Sequence, residues 1–134
     1  MPDSVDDRER TATILVIDDD EGVTQTFARI LELEGFGVQV ASTAESGLQQ
    51  AAESRPDAII LDLRMPLVDG LGFLRRLRQM NEHTATPVGI VTGDFNLDDS
   101  LSAEIRDLGA ELCFKPMSLE ELMVLTRTLL QVTH

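Results

Sequence analysis

The fold is decided by the segment Asp57-Ala58-Ile59-Ile60-Leu61-Asp62-Leu63-Arg64-Met65-Pro66. Its four consecutive apolar residues, 58–61, predict a short strand that is buried on both faces, as strands in the middle of a parallel sheet are. The carboxylate of Asp62 stands at the carboxyl end of this strand. In an open α/β sheet, that end borders the crevice in which ligands bind. The segment therefore indicates Asp62 as the candidate functional residue.

A strand followed by a helix is predicted five times along the chain. Apolar runs predict strands at 14–17, 38–41, 58–61, 88–91 and 111–114, and apolar residues at helical spacing predict a helix after each of them. Parallel strands joined by right-handed crossover helices form a sheet that helices cover on both faces. We therefore predict an α/β fold, a flavodoxin-like, doubly wound sheet of five parallel strands in the order 2-1-3-4-5.

Two local expectations concern the third helix. The residues Val68-Asp69-Gly70 are typical of a turn, and we expect the helix to follow it. Arg75, Arg76 and Arg78 fall mainly outside the apolar stripe of that helix. We therefore expect these three side chains on its solvated face.

Length and composition predict one globular domain. The chain has 134 residues, of which 43% are hydrophobic and 26% are charged, so it can bury one core. Residues 1–11 contain four acids and almost nothing apolar, which indicates an acidic flexible lead-in. We therefore expect residues 12–134 to form the domain.

The charge and the cysteine count limit the possible partners and compartment. A net charge of -13 argues against a nucleic-acid surface and against binding to anionic lipid, since both need a basic patch. One cysteine, Cys113, rules out an internal disulfide, and no apolar run resembles a signal peptide or a membrane span. We expect a cytoplasmic protein whose partners are proteins or cations.

Polar side chains follow four of the predicted strands. Asp18 and Asp19 follow the first, Asp62 the third, Thr92 the fourth and Lys115 the fifth. In the predicted strand order these residues meet at one edge of the sheet. Carboxylates about 5 Å apart repel by about 3 kcal/mol per pair at an effective dielectric constant near 20, so the cluster needs positive charge. Mg²⁺ and Lys115 would neutralise the three acids, and Mg²⁺ accompanies phosphoryl groups in proteins.

This set of side chains is typical of phosphoryl transfer. The Asp62 carboxylate, beside Mg²⁺ and Lys115, can attack a phosphoryl donor in line and become an acyl phosphate. Thr92 can donate its hydroxyl to a phosphoryl oxygen, and Gly93 leaves room for the group beside the backbone.

The same segments resemble the receiver domain of two-component response regulators, over about residues 13–131. The resemblance is carried by Ile17-Asp18-Asp19-Asp20, Leu61-Asp62-Leu63-Arg64-Met65-Pro66 with Asp69-Gly70, Val91-Thr92-Gly93 and Phe114-Lys115-Pro116.

The resemblance assigns a role to each site residue. It implies Asp62 as phosphoacceptor, and it implies a Mg²⁺ site formed by Asp18, Asp19, Asp62 and the main-chain carbonyl of Arg64. It also implies Thr92 as the switch hydroxyl, Lys115 as the phosphoryl-binding base and a cis peptide between Lys115 and Pro116. The implied phosphodonor is a histidine kinase or a phosphotransfer protein. The resemblance leaves the output domain or downstream protein open and allows a homodimer.

One position departs from the family pattern. The family often has an aromatic switch residue three positions before the lysine, where this chain has Leu112. Leucine has less area than an aromatic ring and no polar tip, so we expect Leu112 to stay buried and to report little of a conformational change. We expect the loop 93–96 and the start of the following helix to carry the signal instead.

Two other functions compete with this hypothesis. Haloacid-dehalogenase-like phosphatases also use a nucleophilic Asp, a Thr or Ser, a Lys and an acidic pair, which Asp18-Asp19-Asp20, Thr92, Lys115 and Asp98-Asp99 resemble loosely. That hypothesis leaves Asp62 unexplained, and it requires a cap domain for the substrate, which the sequence does not predict. A pseudo-receiver, an interaction module without phosphorylation, is disfavoured by the complete set of acid, threonine and lysine. We therefore expect a signalling domain and not an enzyme.

Overall fold

The computed structural model of the chain describes residues 12–63, 67–93 and 99–132. Strands and helices alternate through these ranges in the order β1 (Thr13–Ile17), α1 (Glu21–Leu33), β2 (Gly37–Ala41), α2 (Ala44–Ser54), β3 (Ala58–Leu63), α3 (Leu67–Arg78), β4 (Val88–Thr92), α4 (Asp99–Asp107), β5 (Ala110–Phe114) and α5 (Leu119–Val132). A short 3₁₀ helix at Asn81–His83 lies between α3 and β4. The expected lead-in, residues 1–11, lies outside the described residues.

The strands form one sheet in the order β2-β1-β3-β4-β5, and every neighbouring pair is parallel. This confirms the predicted fold class and strand order. Each pair of parallel strands needs a crossover, and a helix supplies it every time. Within the described ranges, no helix is both long enough and apolar enough to cross a bilayer.

Side chains that alternate along the central strands fill two apolar cores, one on each face of the sheet. Leu15 and Ile59 belong to the core under α2, α3 and α4, whereas Val16 and Ile60 belong to the core under α1 and α5. All four side chains are fully buried. Complete burial of a side chain of this size contributes about 1.5–3 kcal/mol. These cores hold the carboxyl ends of β1, β3 and β4 in fixed positions.

Two glycines let helices approach the sheet closely. A Cβ atom at Gly47 of α2 would lie 2.4 Å from Cδ1 of Ile17 in β1. A Cβ atom at Gly89 of β4 would lie 3.0 Å from both terminal methyl carbons of Leu125 in α5. A larger residue at Gly47 would require the Ile17 side chain to move, and one at Gly89 would require a smaller shift of Leu125. Overpacking of this kind costs about 1–3 kcal/mol.

Element boundaries near the central strand differ from the expectation. β3 continues to Leu63, so Asp62 lies one residue before the end of the strand and not after it. The predicted turn at 68–70 is wrong, because α3 already begins at Leu67 and contains Asp69 in its first turn. A carboxylate there is favourable because it lies near the positive end of the helix dipole.

The position of Arg78 differs from the prediction, which placed it on the solvated face of α3. Its side chain is half-buried, and its guanidinium donates hydrogen bonds to three main-chain carbonyls, those of Leu108 at 2.7 Å, His83 at 3.0 Å and Thr86 at 2.7 Å. Arg75 and Arg76 are exposed as expected. Arg78 thus joins the end of α4 to the segment before β4, at the end of the sheet opposite Asp62.

His83 continues this polar network inside the protein. Its side chain is 1% exposed, and its ring nitrogens lie 2.6 Å from the hydroxyl of Thr86 and 2.7 Å from the carbonyl oxygen of Ala51 in α2. The structure gives it a role in linking α2 to the segment before β4.

We expect Arg78→Ala to lower the free energy of unfolding by about 2–4 kcal/mol, since it removes hydrogen bonds from a charged donor and leaves buried carbonyls unsatisfied. Urea denaturation followed by circular dichroism measures this. The matched control is Arg76→Ala, which removes an exposed arginine of the same helix and should change stability by less than about 0.5 kcal/mol. Equal effects of the two substitutions would contradict the assigned role of Arg78.

Candidate functional site

Four of the predicted site residues lie together at the carboxyl edge of the sheet. Asp18 follows β1, Asp62 is near the end of β3, Thr92 ends β4 and Lys115 follows β5. Asp18, Asp62 and Thr92 are nearly inaccessible to solvent, with exposed fractions of 2%, 6% and 1%. Because these strands are adjacent in the sheet, the fold brings together side chains that are up to 97 positions apart in sequence.

The buried carboxylate of Asp62 is paired with the ammonium of Lys115. Nζ of Lys115 lies 2.6 Å from Oδ1 of Asp62. The main-chain N–H of Lys115 donates to the carbonyl of Thr92 at 2.9 Å, which fixes the start of the lysine against β4. The Lys115–Pro116 peptide is cis, as the resemblance implies. Lys115 is the only lysine of the whole chain, so this ammonium is the only one a side chain can bring to the site.

Two buried carboxylate oxygens have unused acceptor capacity. Oδ2 of Asp18 and Oδ1 of Asp62 have no hydrogen-bond partner among the described residues. Oδ1 of Asp62 is held by the ion pair with the ammonium of Lys115 at 2.6 Å. An unsatisfied buried acceptor costs about 1–3 kcal/mol, and more when it is charged. The site is therefore incomplete without a further positive or hydrogen-bonding group.

The pKa of Asp18 is raised to about 6 from its ordinary value of 3.8, chiefly by burial. The negative charge of Asp62 and the neighbouring carboxyl of Asp19 contribute to this rise. The main-chain N–H of Asp20, which donates to Oδ1 of Asp18 at 3.0 Å, and the ammonium of Lys115 lower this pKa but do not offset the burial. The ionised form of Asp18 is therefore disfavoured when no cation is bound.

The three consecutive acids after β1 have different environments. Asp20 is the N-cap of α1, where its Oδ1 accepts from the main-chain N–H groups of Gly22 at 2.9 Å and Val23 at 3.3 Å. Of the three acids, Asp20 therefore serves as the helix cap. Asp18 is buried and points into the site, and Asp19 is exposed beside it.

The described side chains do not by themselves form a complete metal site. Among residues 12–63, 67–93 and 99–132, no three acidic, histidine or cysteine side chains converge as a ligand cluster. The predicted fourth ligand, Arg64, lies outside these ranges. Asp18 and Asp62 nevertheless offer two unsatisfied carboxylate oxygens. This donor set suits Mg²⁺, which takes a small number of carboxylates and retains several waters.

The sequence analysis missed one residue near the site, Phe114. In the parallel pairing of β4 and β5, Phe114 is the partner of Thr92, whereas Leu112 is the partner of Ile90. Leu112 is half-buried against the core under α2, α3 and α4. Phe114 is 39% exposed. The loop expected to carry the signal includes residues 94–96, which lie outside the described residues.

A groove of about 500 Å³ lies between β5 and α5. Its apolar lining comes from Cys113, Phe114, Met117, Val124 and Leu125, and its acidic lining from Glu111, Glu120 and Glu121. Leu125 is buried, whereas Val124 on the same helix is 62% exposed. Phe114 is thus the β5 partner of Thr92 and also borders this groove.

Comparison with known proteins identifies relatives of the chain. The family model of the response regulator receiver domain matches residues 14–127. The response regulators MprA of Mycolicibacterium vanbaalenii and of Mycobacterium leprae are 37% and 36% identical to it over 123 residues, which are 90% of this chain and 51% of each relative. The chain thus spans about half the length of these relatives.

Solved structures agree with this assignment. The chemotaxis protein CheY4 of Vibrio cholerae superposes with a TM-score of 0.78 at 26% identity, covering 89% of this chain and 98% of that one. A response regulator receiver domain protein from Clostridium thermocellum superposes with a TM-score of 0.77 at 31% identity, covering 91% and 96%. The chain therefore belongs to the response regulator receiver domain family, a family of two-component signalling domains.

Proposed function

We propose that this domain accepts a phosphoryl group on Asp62 from a histidine kinase or a phosphotransfer protein in the cytoplasm. The observation that carries the proposal is the buried Asp62 carboxylate, paired with the only lysine of the chain and next to the strained Asp18. Receiver domains interact with histidine kinases.

Asp62 is the nucleophile in this proposal. One of its carboxylate oxygens forms a bond to phosphorus, and the bond between phosphorus and the donor's leaving group breaks, so that the leaving group departs with the electron pair. The product is an acyl phosphate on Asp62. Before the reaction, the ammonium of Lys115 holds the carboxylate at 2.6 Å in a water-poor environment. Afterwards the same ammonium can pair with a phosphoryl oxygen.

Asp18, Asp19, Asp62 and the main-chain carbonyl of Arg64 are the proposed ligands of Mg²⁺. Receiver domains generally bind this ion. The unsatisfied oxygens of Asp18 and Asp62 support its place here. When bound, the ion supplies positive charge that stabilises the phosphoryl oxygens as charge develops on them.

Thr92 is the proposed switch residue. Its side chain is 1% exposed at the end of β4, and its carbonyl is tied to the main chain of Lys115. Its hydroxyl can donate to a phosphoryl oxygen on Asp62 after a movement toward the site. This movement would link phosphorylation to the position of the segment that follows β4.

The two competing hypotheses lose support in different ways. The match to the receiver-domain family supports a central role for Asp62, whereas the phosphatase hypothesis gives it no role. Of the acidic pair that hypothesis needs, Asp98 lies outside the described residues and Asp99 begins α4. The pseudo-receiver hypothesis predicts that no acyl phosphate forms. Detection of an acyl phosphate on Asp62 would therefore contradict it.

We expect a small phosphodonor to add one phosphoryl group to the wild-type protein only when Mg²⁺ is present, and we expect Asp62→Asn to abolish the adduct, because an amide is not a nucleophile. Mass spectrometry of the intact protein measures this. Asp107→Asn is the control, since Asp107 is an exposed acid at the end of α4. An undiminished adduct in Asp62→Asn would move the nucleophile to another acid and revive the phosphatase hypothesis.

We expect Asp18→Asn to stabilise the metal-free protein at pH 7.5. Because the folded protein raises the pKa of Asp18 to about 6, the contribution of this group to stability falls as pH rises from about 4 to about 6. The substitution should therefore increase the free energy of unfolding by about 1–2 kcal/mol at pH 7.5, since one pKa unit corresponds to about 1.4 kcal/mol and solvent at the mouth of the site reduces the effect.

The gain should shrink as pH falls toward 4, where Asp18 is protonated in the folded protein and only about half ionised in the unfolded chain. Asp18→Asn should also lose most of the stabilisation that Mg²⁺ gives to the wild type. Thermal denaturation over pH 4–8, with and without Mg²⁺, measures both effects. Asp107→Asn, which changes an exposed acid outside the site, provides the comparison for both effects. A less stable Asp18→Asn protein at pH 7.5 without metal would show that Asp18 is not strained.

A further inference from the structure

Asp18 is held in the site by its carboxylate as well as by its main chain. Its N–H donates to the carbonyl of Ala41 at the end of β2 at 3.0 Å, and its Oδ1 accepts from the main-chain N–H of Asp20 at 3.0 Å. One carboxylate oxygen is thereby occupied, whereas Oδ2 is buried and has no hydrogen-bond partner in the described part of the chain. The rotation of this carboxylate therefore depends on the position of the Asp20 N–H.

The start of α1 fixes the position of this N–H. The side chain of Asp20 is the N-cap of α1, and its Oδ1 accepts from the main-chain N–H groups of Gly22 at 2.9 Å and Val23 at 3.3 Å. The carbonyl of Asp20 accepts the first hydrogen bond of the helix, from the N–H of Thr24 at 3.1 Å. The side chain and the carbonyl of Asp20 are thus both attached to the first turn, while its N–H is directed back to Asp18.

The residues of the first turn suit this arrangement. A Cβ atom at Gly22 would lie 3.2 Å from Oδ1 of Asp20, which is tighter than ordinary contact, so glycine leaves the cap oxygen in place. Thr24 is 4% exposed, and its hydroxyl donates to the carbonyl of Glu21 at 3.0 Å within the same turn. The first turn of α1 is therefore a firm support for Asp20.

We propose that Asp20 is a positioning residue, which holds the carboxylate of Asp18 in the orientation that leaves Oδ2 for the proposed Mg²⁺ site. The inference rests on the proposed function, because that function assigns Asp18 to the metal site. Asp20 acts in two steps: the cap fixes the Asp20 residue on the helix, and the N–H of Asp20 then fixes Oδ1 of Asp18. Asp19 lies between the two, so its main chain is held from both sides.

The cap also explains why the third acid of the run is not itself a metal ligand in this proposal. Oδ1 of Asp20 already accepts from two N–H groups, and its negative charge lies at the positive end of the α1 dipole. Hydrogen bonds to carboxylates that bind a metal orient those carboxylates, and the loss of such a bond typically lowers metal affinity about 10- to 100-fold. The cap should therefore influence Mg²⁺ affinity without contact with the ion.

The test compares Asp20→Asn with Asp20→Ala. Both substitutions remove the negative charge, but the amide oxygen of asparagine can still cap the helix, whereas alanine cannot. The dissociation constant of Mg²⁺ is measured from amide chemical shifts as MgCl₂ is added to each folded protein. We expect Asp20→Asn to bind Mg²⁺ within about threefold of the wild type, since salt screens a partly exposed charge. Asp20→Ala should bind Mg²⁺ about tenfold more weakly than Asp20→Asn.

Thr43→Ala separates positioning from a general loss of stability. Thr43 caps α2, where its hydroxyl accepts from the main-chain N–H of Ser46 at 2.9 Å. It follows β2, which supplies no predicted site residue. The substitution therefore removes a helix cap at the same edge of the sheet, and we expect its Mg²⁺ affinity to stay close to that of the wild type.

Two results would overturn the inference. The first is an equal Mg²⁺ affinity of Asp20→Ala and Asp20→Asn, because any effect of Asp20 would then come from its charge and not from the cap. The second is a loss in Thr43→Ala as large as that in Asp20→Ala, because helix caps would then act through stability alone. If Mg²⁺ changed no amide shift in the wild type, the proposed metal site itself would be contradicted, and the inference would fall with it.

Discussion

The rest of the structure depends on the burial of two carboxylates, Asp18 and Asp62, beside one ammonium. Two buried negative charges cost free energy that the single positive charge of Lys115 offsets only in part. This cost is seen in the raised pKa of Asp18 and in the two carboxylate oxygens without hydrogen-bond partners. In the proposed mechanism, this imbalance favours the entry of a cation and then of a phosphoryl group. Relief of the same strain would contribute to the free energy of Mg²⁺ binding.

The sheet makes this arrangement possible because its central strands are tightly packed. β1 and β3 are buried on both faces, and the close approach of α2 at Gly47 and of α5 at Gly89 leaves little room for adjustment. Arg78 and His83 tie together the opposite end of the sheet. Stability is therefore concentrated in the core and at that end. The carboxyl edge, where the strained acids lie, is left for binding and for conformational change.

The sequence predicted the strand order and the placement of Asp18, Asp62, Thr92 and Lys115, because buried strands leave continuous apolar runs and the polar residues at their ends follow directly. It did not predict the role of Arg78. Helical spacing places that residue near the solvated face, while its partners are carbonyls of segments that are distant in sequence. Phe114 was missed for a related reason. Its proximity to Thr92 depends on the register between β4 and β5, which no local pattern specifies.

The pairing of Lys115 with Asp62 can be observed directly, since the chain has a single lysine. Protein labelled with ¹³C and ¹⁵N in lysine gives one ammonium signal in a nuclear magnetic resonance spectrum. Our account requires this signal to differ from that of a free lysine in the metal-free wild type and to move to the free position in Asp62→Asn. It also requires a third, again not free, position when Mg²⁺ and beryllofluoride are added. A signal at the free-lysine position in the wild type, unchanged by Asp62→Asn, would contradict the account.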